Sequence, residues 1–271
     1  MSLDPNDVTH WQEWVGKTEI RKEVVEAESL RRFAAALGEP LEIETRPPSL
    51  AHWACFLPVV LPDQVGEDGH PKRGGFLPPI TLPRRMFAAS DMRFGVSLKA
   101  GEPVTRTSEV KSVTHKSGRS GDLVLVEVEH RIAQGEALAV EERQTIVYRD
   151  AGAPTPPVTP VETLPAGDVW APSAVDLFRF SAVTFNSHRI HYDAAYAQGE
   201  EGYPALVVHG PFTAARLFGL ARRDGDVRRF AFRAQAPLFL GDPVVLRHAD
   251  DGQYEAVRCD GMVAMTASVD F

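Results

Sequence analysis

The stretch VVHGPFTAARLFGLARR, residues 207–223, decides the fold of the second half of the chain. Pro211 suits the first position of a helix, where its missing N–H costs no hydrogen bond. Arg222 and Arg223 suit the C-terminus of a helix, where positive charge is favourable. The residues between them leave one apolar face at helical spacing: Phe212, Ala215, Leu217, Phe218 and Leu220. The pattern predicts a helix over residues 211–221.

Strand patterns follow this helix. They cover residues 228–237, 243–248, 254–259 and 262–271, with turns at Asp250-Asp251-Gly252 and Asp260-Gly261. Short runs joined by Asp-Gly turns predict an antiparallel meander. The first half repeats this order, with a helix predicted over residues 28–37 and strands over residues 123–132 and 139–148. One long helix followed by antiparallel strands, twice over, is an α+β pattern.

Two short matches and a linker indicate a duplicated domain. Phe33 in LRRFAAAL matches Phe180 in LFRFSAVT at an offset of 147 residues, and GEPV from Gly101 matches GDPV from Gly241 at an offset of 140. The run DAGAPTPPVTP, residues 150–160, has four prolines and no helical or strand periodicity, so it predicts an extended linker. We expect a first domain over residues 1–150, a linker over 151–164 and a second domain over 165–271.

The composition is that of a soluble globular protein, with 44% apolar and 24% charged residues. No apolar run approaches the roughly 18 residues of a membrane span, and the first residues lack the basic start and apolar core of a secretory signal. Cys55 and Cys259 lie in apolar contexts and predict reduced core residues. These observations favour the cytoplasm. The net charge of −8 argues against a nucleic-acid binder, which needs a basic surface.

The run FNSHRIHYD, residues 185–193, carries the candidate chemistry. A histidine such as His191 can both accept and release a proton near neutral pH. Asn186 can orient a water or a carbonyl but cannot act as a base, and Asn is also a common turn residue. Gly210 follows at the predicted helix start, where an unbonded N–H and the helix dipole favour negative charge. A proton-transfer group beside such a helix start suits chemistry at a carbonyl, so the pattern favours an enzyme.

His188 and Asp193 admit two interpretations. Either they orient His191 or contact substrate, or they form a capping network for a short following helix. The three-residue spacing of His188 and His191 also suggests a metal site. No further Glu or His stands at a recognisable ligand spacing, and Asn186 is a poor ligand, so we expect no metal.

The run NSHRIHYD, residues 186–193, followed by GYPALVVHGP, residues 202–211, resembles MaoC-like hydratases and dehydratases of the hot-dog fold. The likeness is closest to their double hot-dog branch, which acts on acyl thioesters, and PPITLPRRMFA, residues 78–88, resembles the first half of that branch. The branch includes hydratases of mesaconyl-CoA (thioester on the fourth carbon) and itaconyl-CoA, and mitochondrial 3-hydroxyacyl-thioester dehydratases. The resemblance implies that each half wraps an antiparallel sheet around one long central helix. It also implies an active site from the second half, with a cleft lined by the first.

By this resemblance, Asn186 and His191 stand at the two positions that carry proton transfer in the wider family. That family has Asp where this chain has Asn186, so more of the acid–base work falls on His191. Glu44 falls near the corresponding position of the first half by the 147 offset, and we expect that half to be catalytically silent. Arg84 or Arg85 would meet a substrate carboxylate or the CoA phosphates. The full set of expected substrate-binding residues is His188, Tyr192, Asp193, Arg84, Arg85, Val208 and His209.

The sequence therefore predicts reversible hydration of an enoyl-CoA, with a branched dicarboxylic ester such as mesaconyl-CoA or itaconyl-CoA as the preferred substrate. His191 moves the proton, Asn186 positions the water, and the Gly210 amide polarises the thioester carbonyl. Coenzyme A belongs to the substrate, and we expect no other cofactor, no nucleic acid and no membrane partner. A homodimer of double hot dogs is one expected assembly. The alternatives are a 3-hydroxyacyl-CoA or acyl-carrier-protein dehydratase, a thioesterase and a non-catalytic acyl-CoA-binding module.

Overall fold

A computed structural model describes residues 3–118 and 121–271, and those residues form five α-helices and ten strands. The helices are α1 (Pro5–Gln12), α2 (Ala27–Leu37), α3 (Ala174–Thr184), α4 (Ala194–Gly199) and α5 (Gly210–Ala221). The strands are β1 (Thr18–Val24), β2 (Arg84–Phe94), β3 (Pro103–Gly118), β4 (Gly121–Gln134), β5 (Ala137–Arg149), β6 (Asp168–Trp170), β7 (Arg229–Ala234), β8 (Val244–His248), β9 (Tyr254–Val257) and β10 (Val263–Asp270). Short 3-10 turns lie at Ala51–Ala54, Pro62–Gln64 and Arg189–His191.

The strands join one antiparallel sheet in the order β1-β3-β4-β5-β2-β7-β10-β9-β8-β6. The order is symmetric about its centre, because β1 to β5 occupy the same places on one side as β6 to β10 occupy on the other. The halves meet where β2 pairs with β7, with Asp91 opposite Ala231. The predicted class is confirmed: the protein is an α+β double hot dog.

The residues that match between the halves occupy equivalent places. Gly101 before β3 and Gly241 before β8 both have a φ of +85° and open space around an added Cβ, so glycine serves the same left-handed turn twice. Phe33 of α2 and Phe180 of α3 are both buried, and their ring centroids lie 6.0 Å apart where the two helices pack. These correspondences support the duplication.

The expectation of one long central helix in each half is wrong for the first half. In the second half, α5 packs against β8, β9 and β10. In the first half, α2 follows the edge strand β1 and therefore corresponds to α3, not to α5. Residues 38–83, which stand in place of a central helix, carry only the 3-10 turns Ala51–Ala54 and Pro62–Gln64. Nine prolines in that segment remove backbone donors and oppose helix formation.

The predicted helices and strands are otherwise present, with small shifts at their ends. α2 and α5 cover the two predicted helices, β4 and β5 cover the strands predicted in the first half, and β7 to β10 cover those of the second. The Pro-rich run over residues 150–160 contains neither helix nor strand, and the Thr155 N–H ties it to the Gly202 carbonyl (2.7 Å). Helices α1 and α3 and strands β1, β2, β3 and β6 were not predicted, because they are short or lack clear periodicity, and α4 is the short helix of the capping alternative.

The main apolar core packs α2, α3 and α5 against the sheet. Its members of less than 2% exposure include Phe33, Leu177 and Leu217. Cys55 and Cys259 are buried and unpaired, as predicted. Within the described ranges, no helix has the length and apolar character needed to cross a membrane.

Candidate active site

A cavity of about 1510 Å³ lies between the two halves and is lined by both. It is larger than the roughly 300–1,000 Å³ of most small-molecule pockets, which suits a substrate that carries a long appended group. Its second-half lining includes Asn186, His188, His191, Val208 and Gly210, and its first-half lining includes Trp53, His70, Arg85, Arg106, His130 and Glu142.

Residues 186–191, here called the histidine loop, begin where α3 ends. Phe185 adopts the left-handed conformation (φ +49°, ψ +36°) that commonly terminates a helix. The Asn186 N–H then donates to the Ser181 carbonyl at 2.9 Å, which fixes the turn out of the helix. The 3-10 turn Arg189–His191 follows and carries His191 into a buried position on the cavity wall.

The hydrogen bonding of His191 fixes its tautomer. Its Nδ1 lies 2.7 Å from the Val207 carbonyl, which can only accept, so Nδ1 carries the proton and Nε2 keeps a lone pair. Val207 is itself held by the Ile190 carbonyl, which accepts from the Val207 N–H at 3.0 Å. Burial, followed by the nearby His188, lowers the pKa of His191 to about 3. His191 is therefore a neutral imidazole at pH 7 and can accept a proton at Nε2.

The ring of His209 packs against one face of the His191 ring. The two rings stack with centroids 3.6 Å apart and planes inclined by 21°. Nε2 of His209 shares a hydrogen bond with Ser181 Oγ (2.8 Å), while Nδ1 has no partner within the described residues. Burial, then His191 and His188, holds the pKa of His209 well below its usual value. The expectation that His209 contacts substrate is corrected, because it is fully buried and lies outside the cavity lining.

Helix α5 begins at Gly210 on the cavity wall. The first turn of an α-helix leaves its N–H groups without acceptors, and the helix dipole adds partial positive charge there. A Cβ added to Gly210 would have the Phe87 carbonyl as its nearest contact, at 3.6 Å. The helix start is therefore open to a carbonyl oxygen from the cavity and suited to stabilise negative charge that develops on it.

Asn186 both turns its own loop and lines the cavity. Its Oδ1 accepts a hydrogen bond from the His188 N–H at 3.0 Å, the turn interaction that is common for asparagine. Its amide nitrogen can only donate. Asn186 can thus hold a water through the oxygen of that water, but it cannot take a proton from it.

Besides His209, three residues expected to bind substrate lie outside the cavity lining. Asp193 caps α4 through the Tyr196 N–H (3.1 Å) and pairs with Arg189 (2.7 Å), which is the capping alternative. Tyr192 is 52% exposed and donates to the Ser187 carbonyl at 3.2 Å. Arg84 is buried, donates to the Glu201 carbonyl, and lies over the ring of Tyr203. The strand alternation explains the last case, because adjacent residues of β2 face opposite sides of the sheet.

Arg85 is the member of the arginine pair that lines the cavity. It lies opposite Tyr148 of β5, two residues before Phe87, whose carbonyl adjoins Gly210. Within the described part of the chain, no carboxylate lies within 4.0 Å of its guanidinium. The guanidinium groups of Arg21 and Arg73, which also line the cavity, are bonded to backbone carbonyls. Arg85 therefore places a guanidinium without a direct ion pair on the cavity wall near the helix start, with the carboxylate of Asp68 within electrostatic range.

A turn of the first half, GEDGH at residues 66–70, belongs to the site and was missed in the sequence. It is bonded to the histidine loop: the Arg189 N–H donates to the Asp68 carbonyl (2.9 Å), and Ser187 Oγ donates to the Gly69 carbonyl (2.5 Å). His70 lines the cavity, with its ring centroid 4.1 Å from that of His188. The Asp-Gly pair predicts a turn, but no local pattern predicts its contact with residues about 120 positions later. Glu44, expected at the first-half histidine position, is instead exposed and paired with Arg31.

A buried carboxylate, Glu142, also lines the cavity from the first half. It accepts hydrogen bonds from Ser90 Oγ (2.8 Å) and Trp53 Nε1 (3.3 Å), and its other oxygen lies 3.2 Å from His52 Nε2. Burial alone would raise the pKa of Glu142. The hydrogen bond and the charge of His52, then the charge of His130 and the hydrogen bond of Ser90, lower this pKa to about 2. The first-half wall therefore carries a buried, ionised carboxylate that is hydrogen-bonded to His52, Ser90 and Trp53.

The residues that the structure describes contain a grouping with metal-ligand chemistry, formed by Asp68, His70 and His188, with one ligand atom from each within 4.8 Å of the others. His191 is not part of it. His70 Nδ1 is bonded to Asp68 (3.1 Å) and His188 Nε2 to Glu201 (3.1 Å), so a ring nitrogen of each histidine already has a partner. The charge of Arg85, one of the causes that lower the pKa of His70, also opposes a cation here. A hydrogen-bonded network accounts for these contacts.

Fold and site together indicate the class: a hot-dog protein with a neutral imidazole beside an open helix start, an arrangement that suits an acyl-thioester hydro-lyase. The sequence model of the family "Hydroxyacyl-thioester dehydratase type 2" matches residues 50–240. The chain belongs to this family. It is 46% identical over 273 residues to the mesaconyl-C(4)-CoA hydratase of Chloroflexus aurantiacus, an alignment that covers 96% of this chain and 97% of the relative.

Solved structures agree on the fold. HtdX of Mycobacterium tuberculosis superposes with a TM-score of 0.69 at 18% identity, covering 93% of this chain and 98% of that one. A MaoC-like dehydratase from Phytophthora capsici superposes with a TM-score of 0.62 at 15% identity, covering 97% and 98%. The similarity to MaoC-like double hot dogs expected from the sequence is thereby confirmed.

Proposed function

We propose that the protein catalyses the reversible hydration of a short, branched dicarboxylic enoyl-CoA of the mesaconyl-C(4)-CoA type. The main observation in support of hydration is that His191, neutral and held by the Val207 carbonyl, lines the cavity together with Gly210 at the start of α5. Support for the substrate comes from the relative in Chloroflexus aurantiacus, which matches this chain along nearly its whole length. Arg85, which lines the same cavity and has no direct ion pair within the described residues, is a second support, since the substrate has a free carboxylate.

In the proposed reaction, the thioester carbonyl oxygen lies at the Gly210 N–H. His191 Nε2 accepts a proton from a water while the water oxygen forms a bond to the β-carbon. The electron pair of the double bond moves toward the carbonyl, and the start of α5 stabilises the enolate-like charge. The imidazolium then returns its proton to the α-carbon, so the enzyme is unchanged. An oriented base of this kind contributes about 10²–10⁴-fold.

The free carboxylate of the substrate determines which charge the cavity needs. In a C4 thioester of mesaconate, the β-carbon that water attacks also carries the methyl group and the free carboxylate. The carboxylate therefore lies close to the reacting carbon. Arg85 lies two strand residues before Phe87, whose carbonyl adjoins Gly210, which is a backbone rise of roughly 6.6 Å. Arg85 and the helix start line the same cavity, and guanidinium geometry suits a carboxylate.

The alternative substrate is a fatty 3-hydroxyacyl thioester, on CoA or an acyl-carrier protein, as the family description suggests. A long alkyl chain would need an apolar path along the first-half wall. That wall includes the ionised Glu142 together with Arg106 and His130. Apolar side chains such as Phe56, Val128 and Ile132 also line this wall, so support for the short dicarboxylic ester comes from the relative in Chloroflexus aurantiacus.

The cofactor requirement, the cellular location and the oligomeric state are also part of the proposal. The reaction moves water and a proton without net oxidation, so we propose coenzyme A as part of the substrate and no further cofactor. A thioesterase of this fold commonly uses a carboxylate for hydrolysis, and Asn186 stands in place of the Asp, which makes this alternative less favourable. Cytoplasmic location and a homodimer of double hot dogs remain predictions, the latter tested by light scattering coupled to size-exclusion chromatography.

The test is the loss of the ultraviolet enoyl-thioester band with purified protein. The panel contains mesaconyl-C(4)-CoA, itaconyl-CoA, crotonyl-CoA and longer straight-chain enoyl-CoAs. We expect rapid loss with the dicarboxylic esters and at least a hundredfold lower kcat in His191→Ala, with His115→Gln as a folded histidine control. Turnover of straight chains alone would favour the fatty-acyl alternative. Binding without turnover of any ester would favour a carrier-protein substrate or a silent binding module, and measured thiol release would indicate a thioesterase.

A further inference from the structure

We infer that the first half contributes directly to catalysis: the Asp68–His70 pair holds the attacking water, with His70 Nε2 accepting its second hydrogen. This inference rests on the proposed hydration reaction and names a further catalytic residue for it. It replaces the expectation that the first half is catalytically silent.

The two residues form an oriented carboxylate–imidazole pair. Asp68 Oδ2 lies 3.1 Å from His70 Nδ1, and Asp68 Oδ1 accepts from the His70 N–H at 2.9 Å. An ionised carboxylate can only accept, so Nδ1 of His70 carries the ring proton. Nε2 is left with its lone pair, the same state that the Val207 carbonyl imposes on His191.

The turn that carries the pair is fixed against the histidine loop. The Arg189 N–H, Arg189 Nη1 and Ser187 Oγ donate to the carbonyls of Asp68, Glu67 and Gly69. Gly69 has a φ of +88°, and a Cβ on it would lie 1.9 Å from the Ser187 carbonyl oxygen. Only glycine permits this close approach. The turn and the loop therefore behave as one rigid unit although they belong to different halves.

Three imidazole rings follow one another along the cavity wall. The ring centroids of His70 and His188 are 4.1 Å apart, and those of His188 and His191 are 5.4 Å apart. All three side chains and Asn186 line the same cavity. His188 binds Glu201 through Nε2 and so keeps its lone pair on Nδ1, whereas His70 and His191 both keep theirs on Nε2.

The chemistry of the water requires a second acceptor. An attacking water has two hydrogens, and it is oriented only when both are held. Asn186 Oδ1 is engaged by the His188 N–H, and the amide nitrogen of Asn186 can only donate to the water oxygen. His191 Nε2 takes the hydrogen that is transferred. His70 Nε2 accepts the other as a hydrogen bond, so its own ring proton stays on Nδ1 and the proton balance is unchanged.

The surroundings keep His70 in the accepting form. Burial and the charge of Arg85 lower the pKa of His70 to about 3, against the opposing effect of Asp68. The ionisable groups that face the ring are Asp68, Arg85 and His188. His70 is thus neutral at pH 7, and Asp68 serves to select its tautomer rather than to charge it.

The experiment compares His70→Gln in two backgrounds, wild type and Asn186→Asp, with mesaconyl-C(4)-CoA as substrate. In the wild-type background, we expect kcat to fall about tenfold to a hundredfold with little change in KM, the size of one lost hydrogen bond to the reacting water. A carboxylate at position 186 can itself accept the second hydrogen. In that background, His70→Gln should therefore lower kcat less than about threefold.

Asp68→Asn is the second variant, because it keeps the shape of the pair. Its amide would donate to Nδ1 and move the ring proton to Nε2, so kcat should fall as far as in His70→Gln. Nitrogen-15 NMR of the side chains should show the Nδ1–H tautomer of His70 in the wild type and its reversal in Asp68→Asn. His115→Gln is the matched control, since His115 forms a similar pair with Asp122 (2.7 Å) outside the cavity lining.

The outcomes separate this inference from the proposed function. Unchanged kcat in folded His70→Gln, or the same loss in both backgrounds, would overturn the role of His70 while hydration by the wild type stands. An Nε2–H tautomer of His70 in the wild type would overturn it without any activity measurement. Absence of hydration by the wild type would overturn the proposed function and this inference with it.

Discussion

Replacing Arg85 by glutamine should change which ester the enzyme prefers. Arg85 lines the cavity, forms no ion pair within 4.0 Å among the described residues, and lies two strand residues before Phe87, whose carbonyl adjoins Gly210. A hydrogen bond between charged groups contributes about 1.5–3 kcal/mol. Since 1.4 kcal/mol is a factor of ten, kcat/KM for mesaconyl-C(4)-CoA should fall roughly 10- to 150-fold.

The fall should appear in KM rather than in kcat. The free carboxylate carries the same charge in the ground state and in the transition state, so Arg85 binds both equally and its loss weakens uniform binding. Crotonyl-CoA has no such carboxylate, and its kcat/KM should change less than about threefold. The measured quantity is the ratio of the two specificity constants in Arg85→Gln relative to the wild type.

Arg179→Gln serves as the charge-matched control, because Arg179 is exposed on α3 and lies outside the cavity lining. A parallel loss with both esters in a folded Arg85→Gln protein would mean that Arg85 meets the coenzyme A portion. An unchanged ratio with unchanged rates would refute the reasoning that links the position of Arg85 to substrate choice.

Three further predictions concern stability and metal. Burial lowers the pKa of His191 to about 3 and holds that of His209 far below its usual value. Below about pH 6.5 these two histidines are therefore protonated in the unfolded chain but not in the folded chain. Urea denaturation should therefore show stability falling from pH 7 to pH 5, by up to about 1.4 kcal/mol per pH unit for each such histidine, and a flat profile would contradict this. Gly69→Ala should lower both activity and thermal stability well beyond Gly101→Ala, since the two have similar φ but only Gly69 is closely packed; equal effects would refute the docking argument. Dialysis against EDTA should leave turnover within twofold, whereas loss restored by zinc would assign Asp68, His70 and His188 to a metal site.

The sequence predicted those elements whose patterns are strong within a short window. α5 has a proline at its start, an apolar face and arginines after its end, and the strands of the second half alternate with Asp-Gly turns between them. His191, Asn186 and Gly210 could be found because their spacing is local and matches a known family. The predicted fold class and enzyme class followed from these residues.

The rest depends on contacts between residues distant in sequence. Nothing near Asp68 or His70 indicates that their turn lies against Ser187 and Arg189, because those bonds span about 120 residues. The choice between Arg84 and Arg85 depends on the phase of β2, which a run without alternation does not reveal. A central helix in the first half was expected from the family resemblance, whereas the nine prolines in residues 38–83 oppose helix formation there.

The two repeats differ in that only the second has a central helix, α5. This difference limits which symmetric versions of the protein could form the same cavity. Residues 38–83 place no α-helix against the first-half strands of the sheet, and the cavity lies on that side. Two identical copies of the second half, joined through β7, would bring a second copy of α5 into the same volume and exchange one large chamber for two narrow ones. A single chain with two repeats can have a central helix in one repeat and none in the other. An attempt to make the enzyme as a symmetric homodimer of residues 165–271 should therefore give a hot dog with too little room for a branched diacid.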